Sequence, residues 1–392
     1  MLAFTFPGQG SQRPGMGRPW ASEESWELVG EASEIAERDL ERLLLDADAD
    51  ELKDTRNAQL CTFVSSLVVL DAIERTGLDA MFCAGHSLGE YTALVATGAF
   101  SFDEGVQLVS ERAEAMHLAG QDQPGTMAAV LGLDDDEVEI ACRRADSDVW
   151  VANFNAPGQV VIAGSPEGVA SAAANAKELG AKKVLPLPVS GAFHTPFMAP
   201  ARDRLRKAIA NAKPRDTDVP VISNVDALAH DQGDDWASLL SAQLCSPVRW
   251  RQCLIALADA GVTTLVECGP GGVLTGMAKR TVPTLQALSV STPDEVDNLL
   301  GSIAGTSTTP HLTGHEGEHL FATERLVVSP AAGVFTPDPA IAPGHMIQAG
   351  TVVGRVGDLE VRSPFGGSVM GLIAVDGERV AVSQPIAWLR TT

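Results

Sequence analysis

The chain has 392 residues, 45% of them hydrophobic, and a net charge of −23. That length exceeds one ordinary domain and that apolar share builds a sizeable core, so two or more domains are expected. The acidic balance excludes nucleic acid and an anionic membrane as main partners, and no apolar run reaches the length of a membrane span.

Ala3–Phe6 reads as a strand that runs into a Gly-rich turn, Phe6-Pro7-Gly8-Gln9-Gly10-Ser11-Gln12. No basic leader precedes it, and the six cysteines lack C-x-x-C spacing, so reduced, mostly buried thiols and a cytoplasmic location are expected. Gln59–Arg75 has helical periodicity and stops before Gly77. Phe82–Ala84 is a short strand ending in Gly85-His86-Ser87-Leu88-Gly89, after which Tyr91–Thr97 continues a helix with Gly98 as its stop. Ser101-Phe102-Asp103-Glu104 is a capping box opening a helix to about Leu118. Strand–helix alternation of this kind predicts an α/β domain with a parallel sheet and helices on both faces.

The texture changes between residues 123 and 188. Met127–Leu131, Trp150–Asn153, Val160–Ala163 and Lys183–Leu187 read as strands, with Asp134–Arg144 and Pro166–Leu179 as helices. That β-α-β-β-α-β order predicts a ferredoxin-like subdomain inserted in the larger domain. The parallel sheet resumes with Val219–Ser223 and Thr264–Glu267. Residues 1–300 are thus one domain, and 301–319 are a linker rich in Ser, Thr, Gly, Pro and His. His311, His315 and His319 fall four apart, but Gly314 and Gly317 work against a helical metal site, and a solvated linker is the preferred reading.

Residues 320–392 are short β runs punctuated by Gly and Pro, in two similar halves. Ser329-Pro330-Ala331-Ala332-Gly333-Val334 matches Ser363-Pro364-Phe365-Gly366-Gly367 with Val369, and Pro343-Gly344 matches Asp376-Gly377. This all-β module resembles the barrel-sandwich hybrid fold of biotinyl and lipoyl carrier domains. Those carriers display a lysine on the hairpin joining the halves. Here the hairpin falls at Val356-Gly357-Asp358-Leu359, and no lysine occurs after Lys279. Biotin and lipoate are amide-linked to a lysine amine, so the module carries neither.

The chemistry centres on Ser87. The sequence G-x-S-x-G between a strand and a helix is a nucleophile elbow, which makes an α/β-hydrolase-like acyl-transfer domain the expectation. A serine hydroxyl needs a base and a donor pair for the developing oxyanion. His194, just before Thr195-Pro196, sits at a helix N-terminus that would keep its ring neutral. His86 faces away from Ser87 if strand alternation holds, beneath the elbow. Leu88 supplies one oxyanion N–H, and the turn after the first strand supplies another through Gln9. As a phosphate cradle that turn lacks the lysine and spacing of a nucleotide loop. Gly269-Pro270-Gly271-Gly272 reads as a tight turn at a pocket rim.

These motifs recur in order with Glu90-Tyr91, Arg112, Asn153-Phe154-Asn155-Ala156-Pro157, Gly191-Ala192-Phe193-His194, Asn224-Val225-Asp226, Gln243-Leu244, Pro247-Val248-Arg249-Trp250 and Glu267-Cys268. Together, over residues 1–300, they resemble the malonyl-CoA:acyl-carrier-protein transacylases and the acyltransferase domains of polyketide synthases. The resemblance implies malonyl transfer from malonyl-CoA to an acyl carrier protein, with no cofactor or metal. It implies Ser87 as acylated nucleophile, His194 as base, Gln9 and Leu88 as oxyanion donors and Arg112 as the malonyl-carboxylate anchor. Met116 shares the pocket face with Arg112, and Phe193 disfavours an α-methyl branch. It also implies that the Gln243 main-chain carbonyl orients His194, with Asp226 the rival third member. Without the resemblance, Arg112 reads as a surface ion pair with Glu111. The carrier is expected to be acidic. Residues 182–280 hold 12 basic against 9 acidic side chains, so Lys182-Lys183, Arg202/Arg204/Arg206/Lys207 and Arg249/Arg251 are the expected docking cations. Rival readings are a serine thioesterase or hydrolase, and a scaffold with a relic site.

Overall fold

The computed structural model describes residues 1–189, 191–304, 324–357, 359–380 and 384–390. His311, His315, His319 and Asp358 lie outside the described residues. The chain divides into two compact units, Met1–Leu70 with Ala80–Gly305 and Asp71–Asp79 with Thr306–Thr392.

In the first unit, β1 (Leu2–Phe6) is followed by α1 (Glu27–Ile35), α2 (Leu40–Asp46) and the long α3 (Thr55–Glu74). Then come β2 (Phe82–Gly85), α4 (Leu88–Ala96) and α5 (Phe102–Asp122). The capping box at the start of α5 is formed in both directions between Ser101 and Glu104. Two helix bounds differ from the periodicity: α3 begins four residues before Gln59, and α5 runs four beyond Leu118.

The inserted segment comprises β3 (Thr126–Leu131), α6 (Asp135–Arg143), β4 (Val149–Ala156), β5 (Gln159–Gly164), α7 (Pro166–Glu178) and β6 (Lys183–Pro186). Its strands form an antiparallel sheet in the order β4-β5-β3-β6. Helices α6 and α7 close its own core of Val130, Val138, Ile162, Val169 and Ala172.

The chain continues with α8 (Ala199–Ala212), β7 (Val221–Ile222), β8 (Ala229–His230), α9 (Gly233–Gln243), α10 (Trp250–Asp259), β9 (Thr264–Cys268), α11 (Val273–Thr281), β10 (Gln286–Val290) and α12 (Pro293–Ala304). Helix α12 therefore occupies the first residues of the stretch expected as linker. The main sheet runs β10-β9-β1-β2-β7-β8, parallel except for the edge strand β8. Phe6 pairs with Gly85 at the ends of β1 and β2. The Pro7–Gln12 turn and the His86–Ser87 elbow thus leave the same edge of the sheet side by side. Open α/β sheets place their ligand sites at that carboxyl edge. Helix α4 is buried at every residue from Leu88 to Val95, so the helix that follows the elbow is held rigidly inside the domain. A bridge between Asn153 and Val248 docks the inserted sheet beside α10.

The second unit holds β11 (Glu324–Val328), β12 (Gly333–Pro337), β13 (Met346–Ile347), β14 (Val352–Val356), β15 (Leu359–Arg362), β16 (Gly367–Leu372), β17 (Arg379–Val380) and β18 (Pro385–Arg390). Two four-stranded sheets, β11-β18-β16-β13 and β15-β14-β12-β17, enclose Phe335, Val353, Val369, Ile386 and Leu389. The halves repeat a local device. Ser329 Oγ donates to the Ala331 carbonyl at 2.6 Å, and Ser363 Oγ to the Phe365 carbonyl at 2.7 Å, both serines being buried.

Candidate active site

The chain reverses within two residues between β2 and α4, and glycine makes that possible. A Cβ on Gly85 would meet the Gly89 backbone at 1.8 Å, and one on Gly89 would meet the Phe6 carbonyl at 2.0 Å. Ser87 takes the turn at φ 54°, ψ −102°, a region that costs a non-glycine residue about 1–3 kcal/mol. Its backbone is held from both sides. Ser87 N–H donates to Asn224 Oδ1 at 2.7 Å, and Gln243 Nε2 donates to the Ser87 carbonyl at 2.9 Å. Asn224 Nδ2 also donates to the Gly85 carbonyl at 2.7 Å.

Ser87 Oγ lies 2.7 Å from His194 Nε2, although 107 residues separate them in the chain. His194 Nδ1 donates to the Gln243 carbonyl at 2.9 Å. That bond fixes the tautomer, leaving Nε2 bare to accept the serine proton. Asp226, the rival partner, instead pairs with His230 at 3.1 Å. The His194 pKa is lowered to about 3, first by burial and then by the Arg112 cation. The helix N-terminus invoked for this neutrality is a single turn, Pro196–Met198, capped by Thr195 ahead of α8. Desolvation and Arg112 act on the ring beside it.

Arg112, on α5, is buried and makes no ion pair with Glu111, which bonds Arg204. Its Nη1 donates to Gln59 Oε1 at 2.6 Å, and its Nη2 donates to Ser87 Oγ at 3.0 Å and to Gln243 Oε1 at 3.1 Å. Its Nε has no hydrogen-bond partner among the described residues. Burial lowers its pKa from the ordinary guanidinium value. A buried cation with spare donors beside a nucleophile has the chemistry to receive an anionic group.

These groups open into a cavity of about 410 Å³ that Gln9, Met116, Phe193 and His86 also line. Gln59 Nε2 donates to Met116 Sδ at 3.3 Å, so one glutamine orders both Arg112 and Met116. The backbone N–H groups of Gln9 and Leu88 have no internal acceptor among the described residues. His86 Nε2 bonds Asn155 Oδ1 at 2.8 Å, and the ring stands edge-on to Trp250. The Gly-Pro-Gly-Gly turn has positive φ at Gly269, Gly271 and Gly272 and leads into α11, whose Val273, Leu274 and Met277 line the cavity.

Sequence reasoning gave no role to Gln59, Glu90 or the side chains of Asn224 and Gln243. Glu90 is fully buried and accepts from Asn224 N at 2.8 Å and from Gln243 Nε2. Burial raises its pKa to about 7, opposed by the hydrogen bonds from Asn224 and Gln243 and by Arg112. The available signal was a glutamate inside an otherwise apolar helix, where an unpaired charge is not tolerated. Among the described residues no group of His, Cys, Asp and Glu is placed to hold a metal ion, and no helix is long and apolar enough to cross a membrane.

The acyl transferase domain family matches residues 3–313, which sets the serine–histidine pair in that class of enzyme. A malonyl CoA-acyl carrier protein transacylase of Bacillus subtilis strain 168 is 42% identical over 301 residues, 76% of this chain and 95% of the relative. Among solved structures, an acyl-carrier-protein S-malonyltransferase from Burkholderia pseudomallei is 42% identical with a TM-score of 0.74, covering 76% of this chain and 99% of that one. A type II PKS acyl-carrier protein in complex with its malonyl-transacylase matches through a chain 36% identical to this one. Its TM-score is 0.74, with 77% of this chain and 99% of that one covered. The chain belongs to the malonyl-CoA:acyl-carrier-protein transacylase family, and residues 314–392 lie beyond the family match.

Proposed function

We infer that this protein transfers a malonyl group from malonyl-CoA to the phosphopantetheine thiol of an acyl carrier protein, through a malonyl–serine intermediate. The observation that carries the reading is the convergence of Ser87 Oγ, His194 Nε2 and Arg112 Nη2 within 2.7 and 3.0 Å. Ser87 Oγ attacks the thioester carbonyl as its proton passes to His194 Nε2. The Gln9 and Leu88 N–H groups receive the oxyanion, and their lack of internal acceptors supports that role. The C–S bond breaks and the CoA sulfur leaves with the proton from His194. The carrier thiol then attacks malonyl-Ser87, with His194 taking and returning a proton in the same way. The Gln243 carbonyl holds the imidazole in register throughout.

Arg112 anchors the free carboxylate. Without that carboxylate its cation donates to Ser87 Oγ and depresses the basicity of His194. A bound malonyl group offsets the charge, so carboxylate binding both orients the substrate and frees the dyad. Phe193 and Met116 shape the acyl pocket. Crowding by the Phe193 ring disfavours an added methyl by about 1–3 kcal/mol.

For the carrier protein, the expected docking cations are reduced by pairings within the chain. Arg202 bonds Asp203, Arg204 bonds Glu111 and Arg251 bonds Asp135. Lys182, Lys183, Arg206, Lys207 and Arg249 are exposed and have no ion pair among the described residues, and they are the proposed contacts. The inserted segment is read as ferredoxin-like, supported by its β-α-β-β-α-β order and its sheet order. The second unit is read as a lysine-free barrel-sandwich hybrid, supported by the repeated serine turn and the β14–β15 hairpin. A cytoplasmic location is proposed, supported by six free cysteines, five of them buried.

Incubation of the enzyme and malonyl-CoA with a phosphopantetheinylated acyl carrier protein tests this reading. Malonyl-carrier is the expected main product, with free malonate minor. Free malonate as the main product, indifferent to the carrier, would instead establish a hydrolase.

A further inference from the structure

Gln243 holds both Arg112 and the Ser87 carbonyl through its side-chain amide, so the orientation of that amide matters to the site. A primary amide is nearly isosteric when turned over, so its orientation is set only by its partners. The Gln243 amide has its oxygen on Arg112 Nη2 at 3.1 Å and its nitrogen on the Ser87 carbonyl at 2.9 Å. The remaining partner of that nitrogen is Glu90. The other oxygen of Glu90 accepts from the Asn224 backbone N–H at 2.8 Å. Both carboxyl oxygens therefore accept from donors that the fold has placed.

We propose that Glu90 is a positioning residue for the carboxylate anchor: its buried carboxyl dictates which way the Gln243 amide faces, and that amide, together with Gln59, sets where Arg112 points. The inference rests on the malonyl-transfer reading and adds a specificity determinant that touches no substrate atom. The carboxyl lies two hydrogen bonds from the guanidinium, along the chain Glu90–Gln243–Arg112.

Glu90→Gln is the informative change, because it keeps the shape and alters only the donor pattern. The carbonyl of the new amide must face the fixed Asn224 N–H, so its NH2 faces the Gln243 NH2. Gln243 then turns over: Arg112 Nη2 loses its Gln243 acceptor while Nη1 keeps Gln59, and the Ser87 carbonyl loses the donor it had from Gln243. The His194 bond is to the Gln243 backbone and is left in place. The test uses the full chain with a phosphopantetheinylated carrier protein and either malonyl-CoA or acetyl-CoA as donor.

The expected result is a fall of about 10- to 100-fold in malonyl kcat/KM, the size of one charged hydrogen bond, with a smaller fall in acetyl transfer, which feels only the loosened Ser87 carbonyl, so that the malonyl-to-acetyl ratio drops. In an Arg112→Ala background, Glu90→Gln should leave the malonyl-to-acetyl ratio unchanged. Equal losses with both donors that follow a lowered Tm would overturn the proposal, as would a further drop in the ratio without Arg112. Should Glu90→Gln not fold, Glu90→Asp serves. One methylene shorter, it keeps an acceptor for Asn224 but releases Gln243, so the ratio must fall; an unchanged ratio counts against the idea. If the unaltered protein transfers no malonyl group, the functional reading itself fails. If it does and the ratio survives Glu90→Gln, only this inference fails.

Discussion

His194→Ala is expected to lower kcat for malonyl transfer by roughly 10⁴- to 10⁶-fold, the loss seen when one member of a serine–histidine unit is removed. His194 is the one ring whose bare nitrogen meets Ser87 Oγ, at 2.7 Å, and its other nitrogen is committed to the Gln243 carbonyl. The neighbouring His86 cannot substitute, because its Nε2 is taken by Asn155. The pH profile carries a second signature. With its pKa lowered to about 3 by burial and Arg112, His194 stays neutral through the range in which a free imidazole protonates. The acid limb of malonyl kcat/KM, which reports the free enzyme, should therefore show no loss with a midpoint near the ordinary histidine value. The sign follows from the direction of the shift. A lowered pKa keeps the base competent as pH falls, and activity is lost only as pH approaches the folded value. Glu90, raised to about 7, is the buried group that titrates near neutrality, and an inflection there should disappear in Glu90→Gln. An inflection near 6.5 that survives Glu90→Gln would show the His194 assignment to be wrong.

Arg112→Ala should cut malonyl kcat/KM by about 10²- to 10⁴-fold, while acetyl transfer holds or rises. Two charged hydrogen bonds to a carboxylate are worth roughly 1.5–3 kcal/mol each, and an acetyl group makes neither. Removing the guanidinium also removes a donor from Ser87 Oγ and a cation from the neighbourhood of His194, both of which restrain the dyad. Gln59 Oε1 and Gln243 Oε1 lose their partner, at a cost of about 1–3 kcal/mol in stability. The comparison is therefore made as a ratio of donors at a temperature where the variant is folded. Equal losses with malonyl-CoA and acetyl-CoA would remove the anchor role.

What was legible in the sequence was what depends on neighbours in the chain. The elbow is written in Gly85 and Gly89, because a Cβ at either position would collide with backbone. The capping box before α5 is written in Ser101 and Glu104 for the same reason. Ser87 was nominated from its elbow and His194 from its place before a helix cap, while Arg112 was nominated only through the family resemblance; the 107-residue separation of Ser87 from His194 hides their contact from any local pattern. The neutrality of His194 was read from the helix cap alone, because its burial and the approach of Arg112 belong to the folded chain. Glu90 went unassigned because its meaning lies in Gln243, 153 residues on. Strand β10, with Gln286 and Ser289 among its five residues, lacks a clear apolar pattern and is defined by pairing with β9.

The central claim is that one hydroxyl carries the acyl group. Exposure of the protein to malonyl-CoA without carrier, followed by proteolysis and peptide mass spectrometry, measures it directly. The account predicts one malonyl group on the peptide containing Ser87, discharged by carrier protein and missing in Ser87→Ala. A malonyl adduct at another residue, or carrier loading by Ser87→Ala at the unaltered rate, would contradict it.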